Sequence, residues 1–185
     1  MGVYLCAPTN GEPLNDVNVR NKPMQIRLVW IFFVAAIIQV IPFIVLAPEL
    51  LVALKKALLI SSYLFLCWGL INNLHYWSTR VILFGVLLNF VGIAANDCLM
   101  PVSPEAISIS GMPELGTEWL GKVTPHGTGI LLTMDQTNLW IFTDIFPVKL
   151  INAVLSLGDL VLVAGLLLFT AELLIRKTRN ILDRF

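Results

Sequence analysis

The chain has 185 residues, of which 57% are apolar and only 13% charged, and its mean hydropathy is +0.84. Those proportions exclude an ordinary soluble domain and make lipid the solvent for most of the chain. Lys plus Arg and Asp plus Glu balance at 12 each, so there is no basic field to attract nucleic acid.

The first 27 residues form a tail with no apolar core of the kind a secretory signal carries, and Cys6 stands where a myristoylation pattern wants Ser or Thr. Insertion therefore falls to the internal helices. Hydropathy marks four of them, judged against the roughly 20 residues needed to cross the hydrocarbon. The first covers about residues 28–47, with Gln39 inside it and Pro42 near its far end. The second, about 57–71, is short and draws on residues 50–54, with Lys55 and Lys56 snorkelling to the interface. The third runs over about 81–100 and is stopped by Pro101, and the fourth over about 150–175. A basic tail, 176–185, follows it. The expected fold is thus all-α, a four-helix polytopic bundle with one long extracytoplasmic loop at 101–149.

Orientation follows from Lys and Arg, which resist translocation. With the N-terminus inside, Arg20, Lys22, Arg27, Arg80, Arg176, Lys177, Arg179 and Arg184 are cytoplasmic, against Lys55, Lys56, Lys122 and Lys149 outside. Both termini are expected in the cytoplasm of a cell-membrane protein. Trp30, Tyr76 and Trp77 then form an aromatic belt on the inner side.

In the third helix Gly85, Asn89, Gly92 and Asn96 recur at steps of four, three and four, which puts them on one face. Small residues allow close backbone approach, and amides bond across such contacts. In the fourth helix Asn152, Ser156 and Asp159 share a face bordered by Gly158 and Gly165. From the helical rise, Asn89 lies roughly 16 Å and Asp159 roughly 14 Å below the outer ends of their helices, so an antiparallel pair brings them together near mid-bilayer. Asn96 would face the level of Asn152 and Ser156. A carboxyl at the membrane centre costs about 3 kcal/mol, and something must offset it. Asp159 is then either a proton, ion or ligand site or a hydrogen-bonded lock between helices through Asn89 or Ser156.

In the outer loop Ser103, Pro104 and Glu105 read as an N-cap, a first helical position and an acid in the first turn. A two-turn helix should follow, ending by Gly111. Residues 130–142 are apolar but too short to span, suiting a hairpin or an interfacial segment. His126 and Asp144, with Glu118 and Asp135, are the candidates for an external hydrolase or metal site, but no nucleophile motif or H-E-x-x-H pattern accompanies them. The three cysteines and two histidines lack metal-ligand spacing, and no cofactor is expected.

One set of motifs goes further: Asn96 ahead of Met100-Pro101-Val102-Ser103-Pro104-Glu105-Ala106, then Leu131-Leu132-Thr133, Thr137-x-Leu139, Asp144-Ile145-x-Pro147 and Ser156-Leu157-Gly158-Asp159. In order and spacing these resemble a family of small bacterial multi-pass membrane proteins known only as a domain of unknown function, over about residues 10–175. The family pattern carries another apolar segment ahead of Leu14, where this chain has the short polar stretch 1–10. The resemblance implies no activity, and it implies that Asn96, Pro101, Asp144, Gly158 and Asp159 form one unit in the outer half of the membrane. The expected function is a non-catalytic subunit or assembly factor of a membrane complex, partnered by the bilayer and by further copies or other subunits. The alternatives are an oligomeric proton or ion conductor, or small transporter, using Asp159, and a membrane enzyme with an extracytoplasmic site.

Overall fold

The computed structural model describes residues 30–35, 37–38, 52–112, 117–124 and 129–182. Residues 26–170 form one compact unit, and the stretch from Ala171 belongs to a second. Helix α1 is seen at residues 30–35 and 37–38; the rest of the expected first span, Gln39 included, lies outside the described residues. Ile31 and Ala35 of α1 are fully buried. Gly69 gives α1 its seat, since a Cβ there would stand 3.2 Å from Phe32 and 3.3 Å from Ile31.

Helices α2 (Val52–Ile71) and α3 (Trp77–Ala95) form a hairpin. Side chains tie the turn to both helices. Asn73 Nδ2 donates to the Gly69 carbonyl at 2.7 Å, Thr79 Oγ1 to Tyr76 O at 2.8 Å, and Arg80 Nε to Leu74 O at 2.6 Å. The Arg80 guanidinium also lies over the Trp77 ring, 4.8 Å from its centroid. Trp30 and Trp77 are exposed, as belt residues must be, but Tyr76 is buried and belongs to the turn instead. At the other end of the hairpin Lys56 pairs with Asp97 at 2.5 Å.

α3 ends at Ala95, five residues before the expected stop. Asp97 enters the left-handed region (φ 56°), and the Cys98 N–H reaches back to Ile93 O at 3.0 Å. That is a Schellman closure, in which a left-handed residue just past the cap lets the chain satisfy the last carbonyls. Asp tolerates the left-handed conformation better than most residues other than Gly and Asn. The helix therefore stops without help from Pro101.

Between α3 and the last helix the chain builds a small β-containing subdomain. Strand β1 (Met100–Val102) pairs in parallel with β2 (Gly129–Leu131). Helix α4 (Pro104–Ser110) starts as expected, with the Ser103 side chain accepting from the Ala106 N–H at 3.3 Å, and ends on a left-handed Gly111. Its inner face supplies Ile107, which packs with Val102 and Leu131, and Met112, Trp119 and Val154 close around them. Residues 130–142 are neither a hairpin nor an interfacial helix: β2 is followed by short 3-10 turns at Met134–Gln136 and Trp140–Phe142. Strands β3 (Phe146–Val148) and β4 (Ala153–Leu155) then form an antiparallel hairpin through a 3-10 turn at Lys149–Ile151.

That hairpin consumes the first seven residues of the expected fourth span. Helix α5 runs over Leu157–Leu182, so Asn152 is not on a helical face at all. It is the left-handed residue (φ 47°) at the hairpin tip. Among the described residues α3 and the stretch Leu157–Arg179 of α5 are long and apolar enough to cross a membrane, and Lys56–Ile71 of α2 is a shorter apolar helix. The chain is mostly helical, but the strands between α3 and α5 make it not purely so.

Candidate functional site

The polar residues of α3 meet the start of α5 rather than its middle. Leu157 and Gly158 are the first two helical positions and Asp159 the third, with Ser156 immediately ahead. Ser156 Oγ accepts from the Asp159 N–H at 2.9 Å, and the Asp159 carboxylate accepts from the Ser156 N–H at 3.0 Å. This reciprocal pair is a capping box, with Asp in the place usually taken by Glu. The second carboxylate oxygen accepts from Asn89 Nδ2 at 2.7 Å, and the Ser156 hydroxyl donates to Asn89 Oδ1 at 2.6 Å. Three side chains from two helices thus close a circuit of four hydrogen bonds, and Ser156 is fully buried within it.

Glycines make the approach possible. A Cβ on Gly158 would collide with the Asn89 amide and lie 2.7 Å from the Gly85 carbonyl oxygen, and one on Gly85 would lie 2.8 Å from the Gly158 carbonyl oxygen. Two turns on, Gly165 abuts Ile82, whose backbone nitrogen would be 3.0 Å from an added Cβ. Higher on α3, Gly92 faces the Phe142 carbonyl, 2.5 Å from where a Cβ would sit. The α3 face is thus covered by α5 at Gly85 and Asn89 and by the subdomain at Gly92.

Asp159 lies in the first turn of α5, and Asn89 is six residues, about 9 Å, from the end of α3. The positive end of the helix dipole and two hydrogen-bond donors face the Asp159 carboxylate.

Asn96 does not face Asn152 or Ser156. Its Nδ2 donates to Gly92 O and to Asn138 O, both at 2.8 Å, and its Oδ1 accepts from the Asn138 N–H at 2.9 Å. Asn138 returns a bond from its Nδ2 to Ala95 O at 3.1 Å. Asn96 is therefore the clip between α3 and the subdomain. Nothing in the spacing singled out Asn138, because its contribution is mostly backbone.

Asp144 is held by its backbone: its N–H donates to Pro101 O and its carbonyl accepts from the Ser103 N–H, each at 3.0 Å. Burial, and then the charge of Asp159, push its carboxyl up to about 8. Tyr63 of α2 is within electrostatic reach of both carboxyl groups, and its ring stacks at 5.5 Å on Phe90. Asp144 is thus bonded through its backbone to Pro101 and lies within electrostatic range of Asp159, whereas Asn96 bonds to Asn138 instead. Sequence reasoning passed over Tyr63, an ordinary aromatic in an apolar run. His126 lies outside the described residues. Glu118 and Asp135 are exposed, and among the described residues no three His, Cys, Asp or Glu side chains group as a metal site.

The model of a family of unknown function, DUF5317, matches residues 23–171. The chain belongs to that family. The matched segment ends five residues short of Arg176, where the basic cluster of α5 begins, so it contains the whole Asn89, Ser156 and Asp159 circuit. No curated protein matches the chain, and no solved structure does.

Proposed function

We propose that this chain is a multi-pass protein of the cell membrane, with both termini cytoplasmic, acting as a non-catalytic subunit or assembly factor of a membrane complex. The observation that carries the reading is the circuit of Asn89, Ser156 and Asp159. Both oxygens of the most conspicuous carboxylate are engaged in capping α5 and fastening it to α3, which is a structural use. Around that anchor α5 presents exposed Leu160, Val163, Leu166, Leu167 and Leu168, a surface suited to lipid and to neighbouring helices.

Purification of the full chain from its native membrane in mild detergent tests this. A stoichiometric partner retained through size-exclusion chromatography is the expected outcome. A chain recovered alone, whose removal leaves every membrane complex intact, contradicts it.

One observation favours a second reading, an oligomeric proton or ion conductor. Burial, and then the charge of Asp159, raise the Asp144 carboxyl to about 8. In liposomes, that reading requires a pH-dependent flux abolished by Asp144→Asn or Asp159→Asn. An unchanged flux in both variants removes it.

A further inference from the structure

The far end of α5 carries a feature that neither helix packing nor the capping circuit uses. From Leu157 to Ile175 the helix is apolar apart from Asp159, Thr170 and Glu172, a run of 19 residues that is about 28 Å long. That matches the ~30 Å of bilayer hydrocarbon. The helix then continues through Leu182, about 10 Å further, a distance comparable to the headgroup layer on one side of a bilayer. In that extension Arg176, Lys177 and Arg179 fall within four positions, and Lys177 and Arg179 are exposed. Leu174, Ile175, Thr178, Arg179 and Leu182 form one open face of the helix.

We propose that this end of α5 binds an anionic phospholipid, with the phosphodiester on Arg179 and the Thr178 hydroxyl and an acyl chain along Leu174 and Ile175. The inference rests on the reading of α5 as a membrane span. Charge complementarity selects the ligand: three cations in four positions face the depth at which lipid phosphates lie, and juxtamembrane clusters of this kind attract anionic headgroups. The apolar part of that face selects a lipid over a free anion, because a small hydrated phosphate has no use for Leu174 and Ile175. A guanidinium can also bind a phosphate through two parallel N–H bonds, which an ammonium cannot.

The test is native mass spectrometry of the full chain, purified in mild detergent and titrated separately with phosphatidylglycerol and phosphatidylcholine of identical acyl chains. Phosphatidylglycerol is expected to bind at least tenfold more strongly. Arg179→Gln should weaken phosphatidylglycerol by about fivefold. Arg80→Gln, which removes a cation from the α2 to α3 turn, should leave binding unchanged. Equal uptake of the two lipids, or an equal loss in the Arg80 variant, overturns the site while leaving the membrane reading standing. A protein captured in place of lipid by a photo-crosslinker at position 178 overturns it as well. A full chain that stays in solution without detergent overturns the membrane reading itself.

Discussion

α3 and α5 satisfy the same criteria of length and apolar content for crossing a bilayer, yet 39% of the α3 stretch is buried by protein and only 11% of the α5 stretch. Small and polar side chains account for the difference. α3 offers Gly85, Asn89 and Gly92 along one face, and α5 and the subdomain close on it. α5 has glycines only at Gly158 and Gly165, and beyond its first turns it shows leucine and valine outward. Apolar composition alone therefore does not distinguish a helix solvated by protein from one solvated by lipid; the placement of glycine and amide does.

Substitutions on the two helices can break or sharpen that contrast. The largest effect is expected from Gly158→Ala, which drives a methyl group into the Asn89 amide. It should destabilise the fold by about 3 kcal/mol, read as a fall in melting temperature in detergent, whereas Leu167→Ala on the exposed face of α5 should shift melting hardly at all. If the two changes are equally mild, α5 is not fastened at Gly158. Next comes Asp159→Ala, expected to cost about 2 kcal/mol through loss of the capping box and of the Asn89 bond. Asp159→Asn keeps a carbonyl acceptor and should recover part of that loss; an Asn variant as unstable as the Ala variant would show that charge, not hydrogen bonding, holds the circuit.

A further contrast concerns pH. The folded-state value of Asp144 is raised to about 8, well above that of an unfolded aspartate near 4. Between those two values the folded chain keeps a proton that the unfolded chain releases, so stability should decline as pH rises from about 4 to about 8 and level off above. Asp144→Asn removes this group from the titration, and its melting temperature should vary less over that range. A wild-type profile already flat there would show that Asp144 is ionised in the fold.

How much was legible in the sequence can be judged at three residues. Ser103 announced α4 because capping is local chemistry: Pro104 and Glu105 beside it point the same way, and Gly111 ends the helix where a left-handed residue is needed. Ser156 and Asp159 carried the same kind of signal, a Ser followed three residues later by an acid ahead of an apolar run. The continuous hydropathy from Leu150 onward hid it, because strands β3 and β4 and the α5 helix are comparably apolar. Asn96 is the C-cap just past α3 rather than part of its face, and its partner is the backbone of Asn138, 42 residues away, which no periodicity reveals.

By itself the sequence determined the apolar helical segments of this protein, the side-by-side placement of Gly85 and Asn89, and the start of α4. All of these follow from composition and from interactions within a few turns. Only the tertiary structure decided that α3 ends at Ala95, that a β-hairpin replaces the first two turns expected of α5, and that Asp159 caps a helix rather than standing in the middle of one. The bonds that close these ends are local, but their setting depends on contacts between residues tens of positions apart, Asn89 with Asp159 and Asn96 with Asn138. Strand pairing and the closing of α3 against α5 are settled by which distant backbone groups come within reach, and helical or strand periodicity carries no record of that.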